Sequence, residues 1–276
     1  MLYLRIPKLP NNHALLKKPV RIMSQTKLMA APNGARKRKS DHPLLPLTIP
    51  EIAQTAEDCF QAGAHSLHLH VRTDDGSHSL DPVLYKEAIS AVSDKIADMP
   101  IQITTESGGI FDVATQFHCI KSLTPAAASI SIREMARDTS LAAHVYGFCD
   151  EAKTEVQHIL YDASDIALLR SWYAKSWIPA DMTSVIYVLG QYQPIVPAIP
   201  ENLNSFLAAS EGLNLDWMIC AFGQHELACA KTALHMGGNI RIGFENNILL
   251  PDGSPAENNA QTVALAAALI KDMTHE

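Results

Sequence analysis

Eight short apolar runs with helical stretches between them constrain this chain more than any other feature. They are Lys27–Ala31, His65–Val71, Ile101–Thr105, Ala128–Ile132, Val156–Tyr161, Val185–Leu189, Trp217–Phe222 and Asn239–Phe244. Each is short for a buried helix and reads as a buried strand. Strands alternating with helices argue for parallel βαβ units, and eight such units close naturally into a single (β/α)8 TIM barrel. The rival fold, an open doubly wound sheet, wants a glycine-rich phosphate loop after its first strand. This chain has Pro32-Asn33-Gly34-Ala35 there. A length of 276 residues suits one barrel.

The gaps carry helix signals. Thr48 with Glu51 three residues on is a capping-box pattern, opening a helix through Phe60 that stops near Gly63. Ser254, Pro255 and Glu257 repeat a start signal before an Ala-rich helix ending near Met273. Gly237-Gly238 breaks the helix before the eighth strand. No second domain or repeat stands out beyond the βα rhythm.

Composition limits the partners. No apolar stretch approaches the roughly 20 residues that cross a bilayer, so no membrane role is expected. The five cysteines are scattered, with no CxxC pair, which suits reduced thiols and a cytoplasmic address. Residues 1–40 hold ten Lys or Arg and no acid, leaving 12 bases against 29 acids in the rest. Residues 1–26 read as a basic N-terminal extension ahead of a 27–276 barrel, although such a segment also has the character of a transit peptide. Arg36-Lys37-Arg38-Lys39 lies inside the folded pattern. With the remainder so acidic, it suits a small anionic ligand rather than nucleic acid.

In a barrel, chemistry gathers at the C-terminal ends of the strands. His68 and His70 share one face of the second strand, because side chains at i and i+2 point the same way. Glu245 follows the eighth strand, and strands two and eight both flank strand one. Two His and a carboxylate around an open position suit a catalytic zinc, and a non-haem iron takes similar ligands. The alternative is a Glu245 ion-paired with Arg241, which strand periodicity puts on the same face, with no metal at all. Thr104 and Glu106 end the third strand, where Glu106 is either a reacting acid or a helix-start acid. The amides of Ser107-Gly108-Gly109 after it suit an anion. His225, after the seventh strand, either meets substrate or caps the next helix.

Several segments together resemble the β-keto acid cleavage family, the group of the 3-keto-5-aminohexanoate cleavage enzymes. They are Asn33-Gly34-Ala35, Asp41-His42-Pro43-Leu44-Leu45-Pro46, Ala62-Gly63-Ala64, His68-Leu69-His70-Val71-Arg72, Asp74-Asp75-Gly76, Val156-Gln157-His158-Ile159-Leu160-Tyr161, Gly237-Gly238 and Arg241-Ile242-Gly243-Phe244-Glu245-Asn246-Asn247. The resemblance covers about residues 27–273. It implies a zinc-bearing barrel, a homo-oligomer and usually a tetramer. The reaction it implies joins a β-keto acid to acetyl-CoA, giving acetoacetate and a new acyl-CoA. Zinc on His68, His70 and Glu245 would act as a Lewis acid on the keto acid. Thr104 would hydrogen-bond the substrate carboxylate, Arg36 would offset substrate or CoA charge, and Ser131 and His225 complete the substrate-binding set.

Three positions depart from the family pattern. The general-base Asp after the metal-binding Glu, oriented by the motif arginine (here Arg241), is Asn246, and an amide cannot take a proton. A Glu on the fifth strand is Gln157. A substrate-reading Glu after the first strand is Arg36, which favours a neutral or anionic substrate over a cationic one. Glu106 is therefore expected to be the base, with Asn246 holding a substrate oxygen. A water chain or metal-bound hydroxide is the alternative base. Two other readings are a zinc-dependent hydrolase on the same barrel, and a metal-binding barrel without turnover.

Overall fold

The computed structural model describes residues 27–191, 194 and 196–273, and the basic extension 1–26 lies outside them. Eight parallel strands close into a barrel: β1 (Leu28–Ala30), β2 (Ser66–Leu69), β3 (Ile101–Thr104), β4 (Ala127–Ser131), β5 (Glu155–Leu160), β6 (Ser184–Leu189), β7 (Asp216–Ala221) and β8 (Asn239–Ile242). Every expected strand is present, and the fold is a single (β/α)8 barrel. Closure runs through β1, which pairs Met29 with Arg241 of β8 and Ala30 with Leu67 of β2. That register sets the eighth and second strands on either side of the first.

Alternation along the strands builds two apolar layers. On β6, Ile186 and Val188 turn into the barrel with Met29, Ile159, Met218 and Cys220. Val185, Tyr187 and Leu189 turn outward against the helical shell. Each such side chain contributes about 1.5–3 kcal/mol on burial, so the barrel is a stiff frame for the loops at its mouth.

The helix Ile49–Gln61 has both halves of the Thr48–Glu51 capping box, a contribution of about 1 kcal/mol. The last helix differs from expectation. It spans Asn259–Met273 and does not begin at Ser254. Pro255 pairs with Leu249 in an isolated bridge, and Ala256 N–H donates to the Ile248 carbonyl, so this stretch is held as a loop. Asn258 then caps, its Oδ1 accepting from Gln261 N–H. A short antiparallel hairpin, Val71–Arg72 with His78–Ser79, follows β2 and was not legible as strands in the sequence. Among the described residues no helix is long and apolar enough to cross a membrane.

Candidate active site

Three side chains converge above β1. His68 Nε2 lies 3.1 Å from His70 Nε2, and Glu245 Oε2 lies 3.5 Å from each. All three residues are buried and their ligand atoms lie within 4.8 Å of one another. His68 Nδ1 donates to Gln102 Oε1 at 2.8 Å, while Gln102 Nε2 donates to Gln157 Oε1 at 3.3 Å. This chain of amides puts the His68 proton on Nδ1 and turns the Nε2 lone pair toward His70 and Glu245, as a ligand requires. Burial, reinforced by the Arg241 cation, holds His68 well below the usual imidazole value and keeps it neutral. Burial pushes Glu245 up, but Arg241 and the two imidazoles outweigh it and hold the carboxyl well below its usual range. Two neutral-capable imidazoles and a carboxylate are a donor set that fits a divalent ion such as zinc.

The backbone around this cluster is built to admit it. At Gly34 (φ +62°) an added Cβ would lie 2.6 Å from Glu245 Cγ, so the Glu245 side chain packs directly on bare backbone. At Gly243 (φ +147°) a Cβ would lie 2.4 Å from the Ala31 carbonyl oxygen. Asn33 Nδ2 donates to the His70 carbonyl at 3.2 Å, and Arg72 Nε donates to the Gly34 carbonyl at 2.8 Å. Asn33 and Arg72, both in family-like segments, thus hold the β1 loop against the histidine strand. Glu245 does reach Arg241, Nη2 to Oε1 at 3.0 Å. The reason is not strand periodicity, because β8 ends at Ile242. The turn from Gly243 to Asn247 folds the carboxylate back, with Asn246 and Asn247 N–H both donating to the Gly243 carbonyl.

A cleft at the barrel mouth opens beside the cluster. His68, Glu245, Arg241, Arg36, Thr104 and Glu106 line one side, and Ile159, Tyr161, Val188, Cys220 and Phe222 line the other. Arg241 is 4% exposed, and among the described residues its Nε and Nη1 have no hydrogen-bond partner. Thr104 Oγ1 accepts from Glu106 N–H at 3.0 Å. Arg36 Nη2 lies 3.9 Å from Glu106 Oε1. Burial raises the Glu106 carboxyl above its usual value; His70 and Arg36 pull it down, and Glu245 and Glu134 push it further up.

The remaining sequence candidates stand apart from the cleft. Ser131 is buried ahead of the short helix Ile132–Met135. His225 is exposed and precedes the helix Glu226–His235, with no side-chain cap bond. The Asn246 amide is engaged behind the site, Nδ2 donating to Glu226 Oε1 at 3.4 Å and to the Arg241 carbonyl at 3.2 Å. Ser107 N–H and Oγ–H donate to Glu134 at 2.9 and 2.7 Å, so the anion held by that loop is one of the protein's own carboxylates.

Four further residues support the cluster, and of these the sequence singles out only Lys37, within its basic run. Gln102 orients His68, and His78 packs against His70 with ring centroids 5.3 Å apart. Lys37 Nζ donates to the Glu245 carbonyl at 2.7 Å, and burial lowers it to about 8. Glu226 is 1% exposed, and burial raises it to about 8. Gln102 lies two residues from Thr104 on one strand, a spacing the sequence offers, whereas nothing in the sequence marks His78 as a strand residue. Glu226 looks like an ordinary first-turn acid, and nothing local marks it as buried.

Comparison with known proteins agrees with this geometry. The sequence profile of the beta-keto acid cleavage enzyme family matches residues 25–276. A 3-keto-5-aminohexanoate cleavage enzyme of Fusobacterium nucleatum is 28% identical over 92% of this chain and 94% of its own length. A 3-oxoadipate:acetyl-CoA acetyltransferase of Cupriavidus necator is 25% identical over 89% of this chain and 88% of its own. Among solved structures, a 3-dehydroquinate dehydratase from Geobacillus kaustophilus superposes with a TM-score of 0.60 at 12% identity, covering 91% of this chain and 92% of that one. ObcA with oxaloacetate gives 0.58 at 14% identity, covering 84% and 67%. These two likenesses speak for the barrel alone. By its matched length and its full-length relatives, the chain belongs to the β-keto acid cleavage enzyme family.

Proposed function

We propose that the protein is a zinc-dependent enzyme that transfers the acyl group of a β-keto acid to CoA, taking acetyl-CoA as co-substrate and releasing acetoacetate. The observation that carries this reading is Arg241, a buried guanidinium lining the cleft with two nitrogens, Nε and Nη1, that no described residue satisfies, set against His68, His70 and Glu245. A cation in that state calls for an anionic, oxygen-rich ligand, and a β-keto acid supplies one. A divalent metal held by His68, His70 and Glu245 would supply Lewis-acid polarisation of the keto acid oxygens.

The protein's own groups account for the rest. Glu106 is the base that takes the proton from the carbon between the keto and carboxylate groups, and its raised pKa suits that work near neutral pH. The carbanion attacks the acetyl carbonyl of acetyl-CoA, and CoA leaves as thiolate. The thiolate adds to the original keto carbon, the carbon–carbon bond breaks, and acetoacetate leaves as its enolate, taking the proton back from Glu106. Thr104 holds the Glu106 backbone and presents its hydroxyl to the cleft. Asn246, with its Nδ2 engaged by Glu226 and the Arg241 carbonyl, is assigned no substrate contact.

The names of the relatives share a β-keto acid head and differ in the tail: an amine in 3-keto-5-aminohexanoate, a second carboxylate in 3-oxoadipate. Here the tail would meet Ile159, Val188, Cys220 and Phe222, with Arg36 facing Glu106. We assign a tail that is uncharged and apolar. Each buried methylene contributes about 0.8 kcal/mol, about fourfold in kcat/KM. The test is a panel of β-keto acids with acetyl-CoA, read as acetoacetate and acyl-CoA together. Alkyl tails are expected to lead the amino and carboxylate ones. No acyl transfer to CoA from any member by zinc-loaded protein would overturn the reading, and a preference for charged tails would overturn the tail assignment.

A further inference from the structure

We infer that Glu226 is a positioning residue for the metal-ligand turn, acting through Asn246. The inference rests on the metal site of the preceding reading, although not on its substrate. The turn 243–247 carries Glu245 beyond the end of β8 at Ile242, and one backbone bond, Glu245 N–H to the Ala31 carbonyl, still ties it to the end of β1. Glu226 reaches it from the next βα unit, as the first residue of the helix Glu226–His235. Its Oε1 accepts from Gly243 N–H at 3.3 Å and from Asn246 Nδ2 at 3.4 Å. Asn246 Nδ2 also donates to the Arg241 carbonyl at 3.2 Å. One carboxylate oxygen therefore ties down the turn on both sides of Glu245, and one amide ties that oxygen to the Arg241 carbonyl near the end of β8.

The pair is costly to break from either side. Glu226 is 1% and Asn246 3% exposed, so removing either takes one of two hydrogen bonds from a buried polar atom of the other. An acid this deep needs a reason beyond local stability. Its partners lie one residue after Glu245 and two residues before it. Gly243, one of those two partners, has no room for a side chain against Ala31. The turn therefore has little freedom to find another arrangement. Glu245 itself is held by its N–H on the Ala31 carbonyl at 3.0 Å and by Lys37 Nζ on its carbonyl at 2.7 Å. The Glu226–Asn246 pair fixes the residues on either side of it, so the carboxylate that meets His68 and His70 at 3.5 Å is positioned in part by this pair.

The test is a cycle of purified full-length proteins: wild type, Glu226→Ala, Asn246→Ala, the double Ala variant, and the exchanged pair Glu226→Gln with Asn246→Asp. Co(II) affinity and the Co(II) visible spectrum are measured on each, with melting of the metal-free protein as a control for folding. Each single Ala variant is expected to bind Co(II) about 10–100-fold more weakly with an altered spectrum, as loss of a group behind a metal ligand does. The double Ala variant is expected within about 3-fold of the weaker single, because the two act as one unit. The exchanged pair keeps an acid–amide contact and is expected within about 10-fold of wild type. If an Ala variant does not fold, the exchanged pair carries the test. Unchanged Co(II) binding and spectrum in both singles, effects that multiply in the double, or an exchanged pair as weak as Asn246→Ala would each overturn the inference. Wild type that binds Co(II) tightly yet transfers no acyl group would overturn the proposed reaction and leave this inference standing.

Discussion

The two halves of the barrel mouth differ as sharply as a surface and a core. The half built on β8, β1, β2 and β3 carries Arg241, Glu245, Arg36, His68, His70, Thr104 and Glu106, nearly all tied to one another or to backbone. The half built on β5, β6 and β7 carries Ile159, Val188, Cys220 and Phe222 and presents little charge. Charge that is fixed in place does chemistry, and an apolar wall sorts substrates by shape. In the proposed function, then, the reaction and its specificity fall on different strands. Either one should therefore change without the other.

The largest effect is expected on the polar half. His68→Ala or Glu245→Gln removes one of three ligands, and turnover is expected to fall at least ~1000-fold together with the metal content. Metal analysis beside acyl transfer checks both, and full activity without bound metal would break the comparison at its base. Glu106→Gln is expected next, with kcat lower by about 100–10,000-fold and metal content unchanged. A base works only when ionised, so activity in the parent enzyme should rise with pH through the Glu106 pKa. Burial raises that pKa in the metal-free protein, and a divalent ion on the neighbouring ligands would draw the limb back toward acid. A pH profile of kcat/KM tests it, and a rate flat from acid to neutral pH would remove Glu106 from the role.

A smaller effect belongs to the apolar half. Val188→Asp puts a carboxylate where an uncharged tail is expected to pack. It should lower kcat/KM for alkyl-tailed keto acids by about 10–100-fold while metal affinity stays as in wild type. Loss of metal as well would show that the halves are not independent. Smallest is Arg36→Gln, a residue half in solvent. Removing the cation 3.9 Å from Glu106 should raise the Glu106 pKa further and move the pH limb upward, with only a few-fold loss at alkaline pH. A limb that moves down, toward acid, would contradict the Arg36–Glu106 contact.

Legibility followed the range of each interaction. The helix Ile49–Gln61 was readable because its cap lies within four residues. The last helix was misread at its start because Pro255 and Ala256 are held by Leu249 and Ile248, partners outside the helix signal. His68 and His70 were readable as a pair from strand alternation alone. Gln102 followed the same logic one strand over, opposite His68 in register, but register between strands is not written in either strand. Nothing in the sequence around Glu226 marks it as buried, and only packing of one βα loop on the next buries it.

By itself the sequence determined the barrel, the strand that bears the histidines and the family to which they belong. Those follow from local periodicity and from motif order, both of which survive without coordinates. The tertiary structure alone decided how Glu245 reaches those histidines, because its strand ends three residues earlier and a turn completes the path. It also decided that Asn246 faces Glu226 and not the cleft, and that one wall of the mouth is apolar. Each of these depends on where distant segments stop relative to one another. Periodicity states which way a side chain leaves its own strand, and closure of the barrel states what it meets.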